Sequence, residues 1–293
     1  MKILTREQID IKHKDPIWII GPSSEVAKDR NKIINNLQDK TVLAIGHAFP
    51  EMVLNWGFTP SFFTWYDPHQ THRLISNYDL VISKLSKKSI AVFPDFSINR
   101  FLFPASSQWT VEDTKSWEAY ESLIEKLGHS CVYHDSINSL ILKSFYSHFA
   151  HIGWKPVLDK KSNSSKYKKD RELSNKLYND PDFRFNSFES MVIGTLYTKK
   201  LENLLTLYVL PLVQYLGFKT VFVLGFDGRK ERFYKSSKRL NNYAKQFIGI
   251  EKWVKWEDFH KMEIINIQSS GPLTTKLKTV LFEDSLSYCN ENI

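Results

Sequence analysis

A chain of 293 residues, 42% of them hydrophobic and 14% aromatic, can bury a sizeable core, so it is not an intrinsically disordered protein. The formal charge of +8 favours phosphorylated small molecules, anionic membrane surfaces or nucleic acid as partners, although a solvated basic face is its commoner origin. The two cysteines, Cys131 and Cys289, have neither metal-ligand spacing nor the density of a disulfide scaffold. We therefore expect no zinc site and no structural disulfide.

Targeting and membrane signals are weak. No run approaches the roughly 18 consecutive apolar residues of a membrane-spanning helix, and residues 1–7 lack the apolar core of a signal peptide. The basic residues form scattered clusters without an RNA-binding signature or a helix-turn-helix, so nucleic acid is not an expected partner. These observations predict a cytoplasmic protein, compatible with peripheral membrane association.

Strands and helices alternate along the chain. Short runs of apolar and β-branched residues predict strands at 17–20, 41–46, 62–66, 89–93, 131–133, 220–228 and 263–267. Helical periodicity follows at 25–37, 48–56, 112–127, 137–149, 187–216 and 240–259. Pro211 is expected to kink or divide the fifth of these helices. Residues 155–185 lose this periodicity and are interpreted as an exposed insertion or lid in one nucleotide-binding α/β domain, residues 1–293.

This alternation predicts an α/β fold, a mostly parallel doubly wound sheet with helices on both faces. Ligands of such sheets bind at the carboxyl ends of the strands. Four strand ends point to that edge: Gly21-Pro22-Ser23-Ser24, Gly46-His47, Asp67-Pro68-His69 and Gly225-Phe226-Asp227-Gly228. We predict the functional site there.

The first of these strand ends has the features of an anion site. Gly21 lets a ligand approach the backbone, and Ser23 or Ser24 can cap the helix that follows. Free N–H groups at that helix start would then face a phosphate. A plain strand-to-helix turn explains the same residues as well, because Gly-Pro-Ser is neither a Walker loop nor G-x-G-x-x-G.

Several motifs occur in a familiar order. They are Gly21-Pro22-Ser23, the segment WGFTPSFFTWYDP at 56–68, the segment YLGFKTVFVLGFD at 215–227, and Ser270-Gly271-Pro272-Leu273. Over roughly residues 16–80 and 187–285, this order resembles a bacterial and archaeal group with motility-accessory-factor glycosyltransferases and 6-hydroxymethylpterin diphosphokinases. More distantly, it is similar to the CMP-sialic-acid-dependent bacterial sialyltransferases. The resemblance implies a Rossmann-like core that uses a CMP-activated nine-carbon sugar or ATP.

The resemblance also implies roles for residues. Gly21, Pro22 and Ser23 would lie along the nucleotide phosphate or ribose, with Asp227 at the substrate end. Ser24 and Gly46 complete this expected nucleotide-binding set. Ser269, Ser270 and Gly271 would donate hydrogen bonds to the base or ribose, although an ordinary turn explains these three residues equally well.

The chain departs from the sialyltransferases at the general base. Those enzymes carry a histidine between the Gly-x-Asp strand and the next helix, whereas no histidine occurs here from 228 to 259 and His260 comes too late. They also carry an asparagine where this chain has His47. We therefore expect Asp227, His69 or His47 to remove the acceptor proton.

Four further residues are candidates for substrate or phosphate binding. Asp67 could hold Mg²⁺ or polarise an acceptor hydroxyl, or it could merely cap a helix that has Pro68 at its first position. Arg229, Arg232 and Tyr234 could neutralise leaving-group charge, or they form an exposed basic loop. A transition-metal site at Asp67, His69 and His72 is not expected.

The favoured function is transfer of a nonulosonic, sialic-acid-like sugar from a CMP-activated donor to a hydroxyl of a glycan, glycolipid or protein. One alternative is ATP- and Mg²⁺-dependent pyrophosphoryl transfer to a hydroxymethylpterin-like alcohol, with Asp67 and Asp227 holding the metal. Another alternative is a nucleotide-binding module without catalysis.

Overall fold

A single parallel sheet organises the part of the chain that the computed structural model describes. That part comprises residues 2–3, 16–46, 48–64, 78–85, 89–93, 130–133, 181–182, 205, 209–226, 250–268 and 271–288. Its strands are β1 (Lys2–Ile3), β2 (Ile17–Ile20), β3 (Thr41–Ile45), β4 (Phe62–Thr64), β5 (Ile90–Phe93), β6 (Ser130–Tyr133), β7 (Thr220–Leu224), β8 (Glu263–Asn266) and β9 (Lys278–Thr279). Their spatial order is β1-β6-β5-β4-β3-β2-β7-β8-β9, and each neighbouring pair is parallel. The predicted doubly wound α/β fold is confirmed.

The helices of the described residues cover both faces of this sheet. They are α1 (Ser24–Lys28), α2 (Arg30–Leu37), α3 (Ala48–Asn55), α4 (Tyr78–Lys84), α5 (Leu210–Tyr215), α6 (Ile250–Lys255), α7 (Glu257–His260) and α8 (Phe282–Ser287). Residues of α1 to α4 and α8 share one apolar cluster with one face of the sheet. Residues of α5 and α6 share a second cluster with the other face.

Strand β2 shows why its sequence is apolar throughout. Trp18 and Ile20 belong to the first cluster, whereas Ile17 and Ile19 belong to the second, and all four side chains are buried. A strand that is covered on both faces has no polar side, so its residues do not alternate. On the first face, the Trp18 ring stacks on Phe222 of β7 at 5.2 Å between centroids.

The direction of the strand order reverses at β2. From β2 the chain adds β3, β4, β5 and β6 on one side, and it then returns to add β7, β8 and β9 on the other side. The reversal therefore lies between β2 and β7. Ligands of doubly wound sheets bind in the crevice at such a point.

Two predicted helices are divided in the structure. The helix expected over 25–37 is interrupted at Asp29, whose N–H bonds the carbonyl of Val26 at 3.1 Å in a tight turn before α2 begins. The helix expected to reach 259 is broken at Trp256, which has φ −104° and ψ 25°. Pro211 lies in the first turn of α5, where its missing N–H leaves no helical hydrogen bond unmade.

The remaining differences between the predicted and observed elements concern two short strands and segments that the structure does not describe. The strands at β1 and β9 were not expected, since each has only two residues and β9 is exposed. The helices predicted at 112–127 and 137–149 lie outside the described residues, as does almost all of the insertion at 155–185. None of the helices in the described ranges is both long and apolar enough to span a membrane.

Candidate functional site

The carboxyl edge of the sheet gathers several strand ends that the sequence marks. Because the strands are parallel, the residues that follow β2, β3 and β7 emerge at one edge, and these are Gly21, Gly46 and Gly225. Gly46 and Gly225 have positive φ, at 56° and 85°, a conformation that favours glycine. The chain thus turns sharply at this edge, immediately after two of its central strands.

Gly21 and Gly225 are packed directly against each other. A β-carbon on Gly21 would lie 2.5 Å from the carbonyl oxygen of Gly225 and 2.9 Å from Cε2 of Phe226. A β-carbon on Gly225 would lie 2.6 Å from the carbonyl oxygen of Gly21 and 2.8 Å from Cγ2 of Val26. Protein atoms fill the space beside Gly21, so contact between strand ends is sufficient to explain this glycine. Its role in nucleotide binding stays a prediction.

The turn after Gly21 leads straight into helix α1. The helix begins at Ser24, which leaves Ser23 at the N-cap position, where its carbonyl accepts a hydrogen bond from Val26 N–H at 3.2 Å. Ser23 is buried and Pro22 is half-buried. Helix α1 has only five residues before the turn at Asp29, so the helix that the sequence predicts over 25–37 is divided close behind this loop.

Gln268 is a residue of this edge that the sequence interpretation missed. It follows β8 by two residues, and its Oε1 accepts a hydrogen bond from Gly225 N–H at 3.0 Å. The residue is 7% exposed, and its Nε2 is a buried atom with no hydrogen-bond partner among the described residues. The signal in the sequence was a polar residue directly after the apolar strand, next to the Ser269-Ser270-Gly271 loop that was noticed.

Asn266 holds the backbone on which Gln268 sits. Its Nδ2 donates to the carbonyl of Gln268 at 2.7 Å and to Thr279 Oγ1 at 3.2 Å, and the side chain is buried. Val280 N–H bonds the Asn266 carbonyl at 3.0 Å, which ties the same residue to the end of β9. The carboxyl ends of β7, β8 and β9 are therefore joined by a polar network in which Asn266 and Gln268 are buried.

A group of exposed and half-buried side chains braces the far side of this network. Lys278 donates hydrogen bonds to Glu263 Oε1 at 2.7 Å and to the Tyr288 hydroxyl at 2.9 Å, and that hydroxyl donates to Glu263 Oε2 at 2.9 Å. The bond to Glu263, and then the bond to Tyr288, raise the pKa of Lys278 above its ordinary value. This group orients β9 against α8 and lies away from the predicted ligand.

The remaining predicted site residues divide into two sets. Gly271 is described, with φ 112°, and its carbonyl accepts a hydrogen bond from Thr274 Oγ1 at 2.7 Å. The others lie outside the described residues and stay predictions: His47, Asp67, His69, Asp227, Arg229, Arg232, Tyr234, Ser269 and Ser270. Within the residues described, no group of three His, Cys, Asp or Glu side chains could hold a metal ion.

His260 lies at the opposite edge of the sheet. It ends α7, three residues before β8 begins, and so it stands at the amino end of that strand. Its Nδ1 accepts a hydrogen bond from Met262 N–H at 3.0 Å, and its Nε2–H donates to the carbonyl of Trp253. The ring is buried with both nitrogens engaged, which explains this histidine as a core residue.

A surface depression also lies at that amino edge. Lys219, Lys255 and Lys261 line it together with Glu257, Asp258 and Glu263. Because Lys219 precedes β7 and Glu263 begins β8, the depression is separated from the Gly21 loop by the length of the strands. Charges of both signs line it, so it does not select an anion.

The chain is similar to two solved sialyltransferase structures. It matches the monofunctional alpha-2,3-sialyltransferase Cst-I from Campylobacter jejuni with 12% identity and a TM-score of 0.42, over 89% of this chain and 78% of the other. It matches a variant of the sialyltransferase Cst-II in complex with CMP with 10% identity and a TM-score of 0.41, over 91% and 86% of the two chains. No protein-family description and no curated protein matches the sequence. The resemblance to motility-accessory-factor glycosyltransferases and hydroxymethylpterin diphosphokinases stays a prediction.

Proposed function

We propose that this chain is a glycosyltransferase that moves a nonulosonic sugar from a CMP-activated donor to a hydroxyl of a glycan, glycolipid or protein. The observation that carries the proposal is the reversal of strand order between β2 and β7, because ligands of doubly wound sheets bind at the carboxyl edge at such a point. The Gly21-Pro22-Ser23 loop, which carries the motif resemblance, begins directly at the end of β2.

Each side of the crevice has a separate role in this proposal. Residues 21–24 and Gly46, after β2 and β3, bind the nucleotide, together with residues 269–271 beyond β8. Asp227 follows Gly225 by two residues in the sequence and would accept the proton of the acceptor hydroxyl, with His69 and His47 as the other candidate bases.

The proposed reaction is a displacement at the anomeric carbon of the sugar. The acceptor oxygen forms a bond to that carbon while the bond from the carbon to the phosphate oxygen breaks, and CMP leaves with the bonding electrons. The acceptor proton passes to the base. Arg229, Arg232 and Tyr234 would stabilise the negative charge that develops on the departing phosphate.

Calorimetric titration with CMP, CDP, ATP and GTP, each with and without Mg²⁺, tests the proposal. We expect CMP to bind without a requirement for Mg²⁺, and we expect release of CMP from CMP-sialic acid in the presence of a hydroxyl acceptor. Binding of ATP with Mg²⁺ but not of CMP would contradict the proposal and favour pyrophosphoryl transfer. Binding of CMP without any turnover of the activated sugar would favour a non-catalytic module.

A further inference from the structure

We infer that the side-chain amide of Gln268 is a binding group of the crevice, whose Nε2 donates a hydrogen bond to an oxygen atom of the nucleotide-sugar donor. The identity of that ligand rests on the proposed function. The inference itself rests on the orientation, burial and position of the amide.

The orientation of the amide is fixed by its partner. The Gly225 N–H can only donate, so the amide atom that faces it at 3.0 Å has to be the acceptor Oε1. If Oε1 and Nε2 of Gln268 were exchanged, the Nε2 donor would face the N–H donor of Gly225. Nε2 is therefore the end of the side chain that is left for another group, and that end offers two N–H bonds and no acceptor.

This Nε2 is a buried donor without a partner in the part of the chain that is described. Orphaned buried N–H groups are rare in native proteins, and they call for an explanation such as an unoccupied functional contact. The amide of Gln214 gives a useful contrast, because its unpaired atom is the acceptor Oε1, while its Nε2 faces the carbonyl of His260 at the amino edge. Unpaired acceptors are the less unusual case.

The amide lies at the carboxyl end of β7, one of the two strands between which the strand order reverses. Val223 of β7 is paired with Asn266 of β8, and Gln268 follows Asn266 by two residues as Gly225 follows Val223. Gly225 in turn packs against Gly21 at the end of β2. The amide thus belongs to the same edge as the Gly21 loop, where ligands of this fold bind.

The chemistry of the amide selects its ligand atom. A group that can only donate needs an acceptor, and the nucleotide-sugar supplies phosphate oxygens, a carbonyl oxygen on the base and a carboxylate on the sugar. Asn266 fixes the backbone of Gln268 and Gly225 N–H holds its side-chain amide, so little side-chain freedom is lost when the ligand arrives. Gln268 would act as a binding residue and not as a base.

The test compares Gln268→Glu with the unmodified chain and with Gln214→Glu as the matched control. Gln268→Glu keeps an acceptor for Gly225 N–H but replaces the donor by an oxygen. We expect it to weaken binding of CMP-sialic acid by about 10- to 100-fold, the effect of losing a buried hydrogen bond to a charged group. Gln214→Glu should change that affinity less than about twofold, because it lies at the other edge.

Three probes distinguish which oxygen is bound. A loss shared by cytidine, CMP and CMP-sialic acid assigns the contact to the base or ribose. A loss for CMP and CMP-sialic acid only assigns it to the phosphate, and a loss for CMP-sialic acid alone assigns it to the sugar carboxylate. A folded Gln268→Glu chain that binds all three like the unmodified chain overturns the inference.

A second variant guards against failure of the first to fold. Gln268→Met removes the donor without adding a buried charge and is titrated with the same probes, and failure of both variants to fold would show that the amide serves the fold alone. An unmodified chain that binds ATP but not CMP contradicts only the proposed function, and the Gln268 comparison is then made with ATP. An unmodified chain that binds none of these nucleotides overturns both.

Discussion

Gly21 and Gly225 occupy each other's side-chain space at the carboxyl ends of two central strands. The Gly21 N–H donates to the carbonyl of Leu224 at 2.7 Å, and the Gly225 N–H donates to Gln268 Oε1. The ends of three neighbouring strands are thereby joined into one unit. A ligand at this edge would meet a surface that is already ordered, which lowers the entropic cost of binding.

We expect Gly21→Ala to destabilise the chain by about 3 kcal/mol, because the added methyl group meets backbone atoms that cannot move independently. Gly225→Ala should lower the free energy of unfolding by about 4 kcal/mol. The added methyl group meets the same crowding, and the residue also has φ 85°, a conformation that alanine adopts only with strain. Urea denaturation measures both.

Gly57→Ala is the matched control for these substitutions. Gly57 has φ 66°, and nothing lies within 4 Å of the position that a β-carbon would occupy. Gly57→Ala should therefore lower the free energy of unfolding only by the backbone strain, about 1 kcal/mol. If Gly21→Ala cost no more than Gly57→Ala, the packing of the two strand ends would be looser than the structure indicates.

The sequence identified these loops but not the reason for their glycines. An apolar run that ends in glycine predicts a strand and a sharp turn. The strand was confirmed at β2, and both the strand and the turn were confirmed at β3 with Gly46 and at β7 with Gly225. The contact between Gly21 and Gly225 joins residues about 200 positions apart, and no local pattern encodes such a contact. The same holds for Gln268, whose importance becomes visible only beside Gly225.

Stability should depend strongly on the side-chain amide of Asn266. Asn266→Asp replaces two donated hydrogen bonds with a buried carboxylate oxygen facing the carbonyl of Gln268, so we expect a loss of about 3 kcal/mol. Affinity for CMP should fall as well, because the backbone that carries Gln268 is no longer held. Urea denaturation and calorimetry provide the two measurements.

Asn36→Asp is the control for this change of amide to carboxylate. Asn36 is exposed and donates to the carbonyl of Lys32 at 2.7 Å, so its replacement should alter stability by less than about 0.5 kcal/mol. Equal effects at positions 36 and 266 would mean that the buried network at the end of β8 contributes nothing to the fold.

The limits of sequence-based interpretation are also visible in the helices. Periodicity predicted one helix over 25–37, yet it could not show that the chain turns at Asp29, because residues on both sides of that turn still place apolar side chains on the sheet, namely Val26, Ile33 and Leu37. Strands β1 and β9 were missed because two-residue strands carry too few side chains for an alternating pattern.

His260 should matter for stability and not for the reaction. His260→Ala removes both ring hydrogen bonds and the contact with Trp253, whose ring centroid is 5.0 Å away, so a loss of about 3 kcal/mol is expected. The amount of folded protein falls, while CMP affinity and transfer rate per folded molecule stay unchanged. A lower transfer rate per folded molecule with unchanged stability would contradict the assignment of His260 to the core.

The general base is the prediction on which the chemistry depends most. Asp227→Asn should lower the transfer rate by about 10²- to 10⁴-fold while CMP affinity is retained, because the amide keeps the shape of the carboxylate but cannot accept the acceptor proton. His69→Ala and His47→Ala are measured beside it, and the residue whose loss lowers the rate without weakening CMP binding is the base. The rate of spontaneous hydrolysis of the CMP-sugar is the background of the assay, so no transfer rate below it can be measured. If all three variants transfer the sugar as fast as the unmodified chain, proton removal falls to another group, and the Gly225-Phe226-Asp227 strand end loses its assigned role.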